Sequence, residues 1–295
     1  MTTASVPDKY KAIVEGLGQV PTLPAIVARA LEILNQPNAN AEQAAKLIGQ
    51  DLALSAKVLR LANSAFYGIP RTISSVDQAI VILGFQTVRS LVMSASVMKI
   101  LGRGGRGGVD RRGVWRHSVA TALAARLLSR KLGRKLGLDT EALFMAGLLH
   151  KIGVMILDSA VQSEYEIALR AATAEEAQPL PLIERETLGT DHAALAGMLC
   201  EKWGLPDELR TPIANHIFPR ESKTHVEQAC IVHLASHLSE ISGFAAFVGL
   251  SQWPVDPGIL EVIGLTPLDI PELGEQLKAE LAKAESFFAL IDQSM

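Results

Sequence analysis

The chain has 295 residues, of which 48% are hydrophobic and 20% are charged, and its formal net charge is −3. This composition excludes wholesale disorder, and the small net charge does not favour a polyanionic partner. Two cysteines can build neither a disulfide framework nor a cysteine zinc site, so we expect a cytoplasmic protein. The N-terminal residues lack the apolar core of a signal peptide, which favours the same location.

Helix signals dominate the front part of the chain. Pro24 suits a first helical turn and is followed by apolar residues at helical spacing. Asn40 and Asp51 can each cap a helix, and a very apolar helix is predicted from about residue 86 to 100. The spacing of alanine, glycine and valine in AIVILGFQTV, residues 79–88, is typical of a helix-turn-helix. The next helix, however, lacks the basic and polar residues of a recognition helix.

A glycine-rich segment, GRGGRGGVDRRG at residues 102–113, interrupts this pattern. Because it contains six glycines, we predict a flexible joint rather than a helix. It overlaps a basic stretch from Arg103 to Lys135, which has ten lysines and arginines and one aspartate. Such a stretch is typical of a solvated face, and binding to nucleic-acid phosphates is the alternative.

The part of the chain after this joint is also helical in its pattern. Further helices are predicted over residues 115–132, 140–150, 191–203, 206–216 and 226–241. The last predicted helix, residues 271–291, carries an apolar stripe formed by Leu273, Leu277, Leu281, Ala284, Phe288 and Ile291. No segment alternates with period two, so the sequence predicts an all-α protein of about 13–16 helices.

Four of the seven histidines lie in otherwise apolar helical contexts, namely His117, His150, His192 and His216. A single histidine on an apolar face is usually a paired core residue. Four on successive helices can converge on one point, as the ligands of helix-bundle metal sites do. Neutral imidazole suits zinc, iron, manganese, cobalt or nickel. A metal hydrolase also needs carboxylates, but the neighbour of His150 is Lys151, whose ammonium group can only donate.

Several longer motifs resemble one known family. They are PTLPAI at 21–26, VLRLANSAFYG at 58–68, ISSVDQAIVILG at 73–84, WRHS at 115–118, AGLLHKIG at 146–153, ERETLGTDHAALAGMLCEKWGLP at 184–206 and IVHLASHL at 231–238. Over about residues 14–240 they resemble the HDOD domain, a bacterial signalling module related to the HD superfamily of metal-dependent phosphohydrolases.

The resemblance implies a two-lobed, all-α helical bundle. We predict an N-terminal lobe over residues 1–101, a glycine- and arginine-rich joint over 102–113, and an HD-like lobe over 114–240. Residues 241–295 are expected to form a C-terminal helical extension, whose apolar stripe faces the body or a second subunit.

In catalytic relatives, the HD site is built from a histidine, a His-Asp doublet, further histidines and a late aspartate. The resemblance places these ligands, in order, at His117, His150–Lys151, His192, Asn215–His216 and Ser236. Both carboxylates are therefore replaced, and we expect a vestigial site with no metal, no cofactor and no catalytic residue. Any metal that did bind would have to use the four histidines.

Two placements of Lys151 are open from the sequence. In one, its amino group donates to the imidazoles inside the lobe, partly stands in for the lost cation, and has a lowered pKa because of burial. In the other, its flexible stem carries the amino group to solvent.

The resemblance and the missing carboxylates together predict a non-catalytic, regulatory signal-transduction domain. Since no output domain is recognised in the 295 residues, we expect it to act through protein–protein contacts. The partners would be other signalling proteins or a second copy of the chain, with neither a membrane nor nucleic acid expected. The surface would be the groove between the lobes or the stripe of the last helix.

Two other functions remain as alternatives. One is a metal-dependent phosphohydrolase or phosphodiesterase with an atypical histidine-rich site. The other is nucleic-acid binding through residues 103–135.

The segment ANSAFYG contains three candidates for partner recognition, Asn63, Ser64 and Tyr67. The structural alternative is that Asn63 bonds free carbonyl groups at a helix end, while Gly68 supplies a turn with positive φ.

Overall fold

The computed structural model describes residues 7–15, 24–34, 40–101, 108–174, 178–247, 250 and 255–294. Within these ranges the chain forms seventeen α-helices and three short 3-10 helices, and no β-strand, which confirms the all-α prediction. The helices outnumber the predicted 13–16 partly because the last predicted helix is divided at Ala284.

The helices follow one another with short connections, and several begin at the caps that the sequence predicts. Asn40, Asp51 and Asp191 each accept a backbone N–H bond at a helix start. In chain order the helices are α1 (Asp8–Glu15), α2 (Ala25–Leu34), α3 (Ala41–Ile48), α4 (Leu52–Ala62), α5 (Val76–Leu83), α6 (Phe85–Leu101), α7 (Arg111–Leu136), α8 (Thr140–Leu149), α9 (Ile152–Ala160), α10 (Gln162–Ala172), α11 (Leu180–Leu188), α12 (His192–Lys202), α13 (Asp207–Asn215), α14 (Val226–Ile241), α15 (Pro257–Ile263), α16 (Ile270–Lys283) and α17 (Glu285–Ser294).

One compact unit consists of residues 22–103 and 279–295. Its central element is α6, which packs against α2, α4 and α5. Every side chain from Thr87 to Val97 is buried. The hydroxyl groups of Ser90, Ser94 and Ser96 donate to carbonyl groups one turn earlier in the same helix. A segment buried on all sides cannot enter a DNA groove, so residues 87–97 of α6 do not serve for recognition.

The other unit consists of residues 1–21 and 104–278. Its centre is α7, which packs along α8 and α14, while α12 packs against α9 and α13. A Cβ atom added to Gly147 of α8 would lie 2.8 Å from the Cα atom of Ala122. Glycine is therefore needed where α8 crosses α7, and this close approach brings the end of α8 next to the middle of α7.

The two units divide the chain differently from the predicted lobes in two places. Helix α1 packs on α12, with Tyr10 fully buried, and so belongs to the unit that contains α7. Helix α17 packs on α4 and α6, with Phe287 fully buried, and so belongs to the unit that contains α6. Both assignments depend on contacts between residues that are far apart in sequence.

The predicted joint at residues 102–113 is too long at its C-terminal end. Helix α7 begins at Arg111, because the carboxylate of Asp110 accepts a bond from the backbone N–H of Gly113 and caps the first turn. The Nε atom of Arg111 then donates to Oδ2 of Asp158 at 2.7 Å, in a buried ion pair. Residues 102–107 lie outside the described ranges.

The apolar stripe of the C-terminal segment is buried within the chain. Leu273, Leu277, Leu281 and Phe288 are between 0% and 8% exposed. The stripe therefore faces the body of the protein, and these four side chains are not available to a second subunit.

Residues 140–160 are apolar and long enough to cross a membrane by length and composition alone. They form two helices, α8 and α9, and 83% of their most apolar window is buried inside the protein. Such burial is typical of core helices.

Candidate functional site

Six helices of the α7 unit bring the predicted site residues together. All six side chains are at most 9% exposed. They lie on α7, at the junction of α8 and α9, at the start of α12, at the end of α13 and on α14, and they are His117, His150, Lys151, His192, His216 and Ser236. We call these six residues the histidine cluster.

Two imidazoles of the cluster face each other through their Nε2 atoms. The Nδ1 atom of His117 lies 2.7 Å from the carbonyl oxygen of Phe244, and that of His150 lies 2.6 Å from the oxygen of Gly147. A carbonyl oxygen can only accept a hydrogen bond, so each Nδ1 atom carries the proton. In the neutral ring the Nε2 atom is then bare, that is, it has a lone pair and no proton. These two Nε2 atoms are 3.2 Å apart, and the Ser236 hydroxyl lies 3.2 Å from that of His117.

The ring of His216 has the same orientation toward its own helix. Its Nδ1 atom donates to the carbonyl oxygen of Ile213 at 2.8 Å, so its Nε2 atom is also bare. The ring stands edge-on to that of His150, with centroids 4.9 Å apart, and 5.6 Å from that of His192. Its buried Nε2 atom has no hydrogen-bond partner in the described part of the chain. Three bare imidazole nitrogens thus belong to one buried cluster.

Lys151 points into the cluster and not to solvent. Its Nζ atom lies 2.8 Å from Nε2 of His192, and the side chain is 9% exposed. Burial lowers the pKa of the Lys151 amino group, while the carboxylates of Glu240, Glu184 and Asp191 act in the opposite direction. Of the two placements left open by the sequence, the structure shows the inward one.

Two polar residues that the sequence reasoning missed complete the surroundings of His192. One carboxylate oxygen of Glu184, on α11, accepts from the backbone N–H and from Nδ1 of His192, at 2.9 and 2.7 Å. The other accepts from the Tyr165 hydroxyl of α10 at 3.0 Å. Glu184 is fully buried and lies within the ERETLGTDH motif, eight residues before His192. That spacing gives no signal of a contact, because a loop separates α11 from α12.

The cluster does not fit a bound metal ion. The two positions at which the resemblance to catalytic HD proteins implies carboxylates hold Lys151, a cation, and Ser236, a neutral hydroxyl. The amino group of Lys151 occupies the lone pair with which His192 would coordinate a metal. Among the described residues, no group of three or more histidine, cysteine, aspartate or glutamate side chains is placed to hold an ion.

Burial makes the cluster sensitive to acid. Desolvation lowers the pKa of His117 to about 3, with the positive charge of Lys151 adding to the effect. Desolvation also lowers the pKa of His150 well below 6.5, and neighbouring His216 adds to the effect. The pKa of His216 is likewise lowered well below 6.5 by desolvation, with the positive charge of Lys151 adding to the effect. Each of these rings is therefore neutral in the folded state at pH 7.

We predict that the folded state loses stability as the pH falls from about 6.5 toward 3. The unfolded chain, with ordinary histidine pKa values, binds more protons than the folded chain throughout this window. Each such histidine should cost about 2 kcal/mol between pH 6.5 and pH 5. Urea denaturation at pH 7.5, 6 and 5 measures this loss, and the same free energy of unfolding at all three values would contradict the prediction.

The polar side chain of Asn63 is used within its own unit. Its Nδ2 atom donates to the carbonyl oxygens of Leu59 and Ile73, at 2.9 and 2.8 Å, and its Oδ1 atom accepts from the Ile73 N–H at 2.7 Å. Gly68 has a φ of 62°, as the structural alternative requires. Ser64 is buried at 3% exposure. This geometry supports a structural role in the turn after α4.

Part of the basic stretch at residues 103–135 is engaged in buried ion pairs. Arg111 pairs with Asp158, and Arg126 pairs with Glu141 of α8 at 3.1 Å. Arg112, Arg130, Lys131 and Lys135 are exposed, while Arg103 and Arg106 lie outside the described ranges. The stretch therefore contains both arginines that form ion pairs in the core and charged side chains that are exposed to solvent.

Comparisons with known proteins agree with this architecture. The chain is 24% identical over 206 residues to an uncharacterized protein of Treponema pallidum, and it spans 39% of that relative's length. The structure superposes with a TM-score of 0.74 on an HDOD domain protein of unknown function from Geobacter sulfurreducens, which is 24% identical, with 97% of each chain covered.

Two further solved structures have similar folds. A signal transduction protein, provisionally so named, from Marinobacter aquaeolei gives a TM-score of 0.75 at 23% identity, with 99% of this chain and 67% of that chain covered. A Shewanella amazonensis protein, provisionally named a phosphohydrolase, gives 0.73 at 24% identity and covers 99% and 98% of the two chains. At these identities, the superpositions establish the fold alone.

A sequence profile of the HDOD domain matches residues 20–219. This range includes the ANSAFYG segment and every member of the histidine cluster except Ser236. Because the match covers more than half of the chain, the protein belongs to the HDOD domain family.

Proposed function

We propose that this HDOD protein is a non-catalytic, cytoplasmic signal-transduction domain that regulates through contacts with another protein. The observation that carries the proposal is the 2.8 Å contact between Nζ of Lys151 and Nε2 of His192 inside the buried cluster. An amino group at this position supplies a positive charge of its own, where catalytic relatives of the HD superfamily bind a metal ion.

The chemistry of the cluster supports a non-catalytic role. Metal-dependent phosphoester hydrolysis needs an ion that generates hydroxide and clamps the phosphoryl oxygens, with carboxylates that hold the ion. Lys151 and Ser236 supply neither of the two carboxylates. The imidazoles of His117, His150 and His216 are neutral and at most 3% exposed, so a phosphodiester cannot contact them without local opening.

A built-in cation has a consequence for regulation. If the positive charge of the cluster comes from Lys151, then the packing of α9 against α12 does not depend on metal supply. The domain would keep one conformation whether or not divalent ions are present, as a constant protein-binding platform requires.

We predict that protein purified without chelator or nickel-affinity steps carries no stoichiometric iron, manganese or zinc, and that EDTA leaves its Tm unchanged. Elemental analysis and thermal scans with and without EDTA measure the two quantities. The same protein should not hydrolyse phosphodiester or nucleotide substrates in the presence of added Mn²⁺ or Mg²⁺.

The opposite result would favour the alternative function. About one bound metal ion per chain, lost in His117→Ala together with turnover, would identify a phosphohydrolase with an atypical site. The His117→Ala variant also serves as the control for a contaminating hydrolase. A contaminant would keep its activity in that preparation, because the substitution removes an Nε2 atom that only this chain supplies.

Action through another protein is tested with the full chain as bait. We expect a specific partner to be retained from lysate, or light scattering to show a defined homo-oligomer. A monomer that retains no partner would contradict the proposed mode of action. Binding to DNA that weakens steeply with salt would instead support nucleic-acid binding through the basic stretch at residues 103–135.

A further inference from the structure

Glu184 is a buried charge whose partner is not obvious from its contacts. It is fully buried, and its two carboxylate oxygens accept three hydrogen bonds, from the Tyr165 hydroxyl and from two N–H groups of His192. Both oxygens of the carboxylate therefore act as hydrogen-bond acceptors. No lysine or arginine in the described part of the chain forms an ion pair with it directly. A buried charge without compensation is costly, so a compensating cation is required.

The cation nearest to it along the hydrogen-bond chain is Lys151. The Nδ1 atom of His192 donates to Glu184 at 2.7 Å, and the opposite nitrogen of the same ring, Nε2, accepts from Nζ of Lys151 at 2.8 Å. The imidazole thus spans the two charged groups and is polarised in the same direction by both. In such a chain each hydrogen bond strengthens the next one.

We propose that Glu184 is the counter-charge that holds the Lys151 amino group inside the histidine cluster, acting through the imidazole of His192. This inference rests on the proposed function, in which Lys151 supplies the positive charge of the site. It assigns Glu184 as a positioning residue and makes Glu184, His192 and Lys151 one unit, with Tyr165 orienting the carboxylate from α10. The loss of either end would leave the other charged group buried without the partner to which His192 connects it.

Glu240 provides the matched comparison. It lies on α14 one turn after Ser236, is only partly buried, and also acts on Lys151 electrostatically. Burial raises the pKa of Glu240, while the positive charge of Lys151 lowers it, so these two groups interact through space. No described hydrogen bond connects it to the cluster. The two carboxylates therefore differ in whether they are connected to Lys151 through His192.

The experiment is a double-mutant cycle on the full chain, with the free energy of unfolding measured in urea at pH 7.5. Glu184→Gln removes the charge with little change of shape, because its Oε1 atom can still accept from His192 and its amide can donate to the Tyr165 oxygen. Lys151→Met removes the other charge at similar length. We expect Glu184→Gln to lower the folding equilibrium constant more in the wild-type background than in the Lys151→Met background. The factors measured in the two backgrounds should differ about tenfold or more.

An equal factor in both backgrounds would overturn the inference, because a purely structural acceptor loses the same bonds in each. A coupling of Glu240→Gln to Lys151→Met as large as that of Glu184→Gln would also overturn it. If Glu184→Gln alone does not fold, recovery of folding in the Glu184→Gln/Lys151→Met protein supports the inference, and failure of both proteins contradicts it. Metal content and hydrolysis by the wild-type protein separately decide the proposed function.

Discussion

Replacing both Lys151 and Ser236 with aspartate should turn the histidine cluster into a metal site that retains about one divalent ion per chain. The imidazole frame for such a site is present. His117, His150 and His216 each direct Nδ1 to a backbone carbonyl group and leave Nε2 bare, as metal-bound histidines do. The Nε2 atoms of His117 and His150 are 3.2 Å apart. Two nitrogen ligands of a tetrahedral ion would be separated by about 3.3 Å.

The substitutions act on the two features that oppose metal binding. Lys151→Asp removes the ammonium group from the lone pair of His192 and returns a carboxylate to the doublet, and Ser236→Asp returns the second carboxylate. At a free metal concentration about one hundred times Kd, binding should stabilise the folded state by about 2.7 kcal/mol. For a protein of this size, that corresponds to a rise in Tm of about 4 °C, reversed by EDTA.

Elemental analysis and thermal scans with and without EDTA measure the outcome. The two single variants are controls and should each bind less metal than the double variant. Adding His117→Ala to the double variant should abolish binding. A folded double variant without metal would show that the imidazoles, and not only Lys151 and Ser236, have lost the geometry of a metal site.

Gly153→Ala should be among the most destabilising single substitutions in the chain. A Cβ atom on residue 153, in the first turn of α9, would lie 1.8 Å from the carbonyl oxygen and 2.7 Å from the carbonyl carbon of His192. These are backbone atoms, so no side-chain rotation can relieve the overlap, and α9 must separate from α12. We expect a loss of about 3 kcal/mol or more, or failure to fold.

Gly133→Ala is the matched control for Gly153→Ala. Gly133 also lies inside a helix, α7, but the nearest atom to its added Cβ is 4.0 Å away. Alanine should therefore stabilise the protein there by about 1 kcal/mol through its higher helix propensity. Urea denaturation of both variants tests the pair. Equal effects would mean that α9 and α12 are not in the close contact on which the position of Lys151 depends.

Much of the fold follows from local sequence signals. Asn40, Asp51 and Asp191 cap the helices that the sequence predicts, because a cap requires only a side-chain acceptor two or three residues before a free N–H group. Ser75 is an exception, since with Gln78 three residues later it has the sequence pattern of a capping box. Its side chain makes no capping bond, while the Gln78 side chain accepts from the N–H and hydroxyl groups of Ser74. Of the two bonds of the predicted capping box, only the one accepted by Gln78 forms, and its donor is Ser74, one residue earlier than predicted.

The composition of the candidate site was also predictable, but its connections were not. The sequence by itself determined the all-α class and the positions of the four histidines in apolar helical contexts, and the family resemblance implied the replacement of both carboxylates. These depend on residue type, helical spacing and motif order. It left the placement of Lys151 open, since a lysine stem can direct its amino group inward or to solvent.

Only the tertiary structure decided the direction of Lys151 and the role of Glu184. The partners that determine them are brought together by packing across long sequence separations. Lys151 meets His192 across 41 residues, and His117 meets the carbonyl oxygen of Phe244 across 127. No periodicity encodes such pairs, because they depend on how closely α9 approaches α12 and on where the chain returns after α14. The same reason explains why α1 and α17 pack in units that their sequence positions do not indicate.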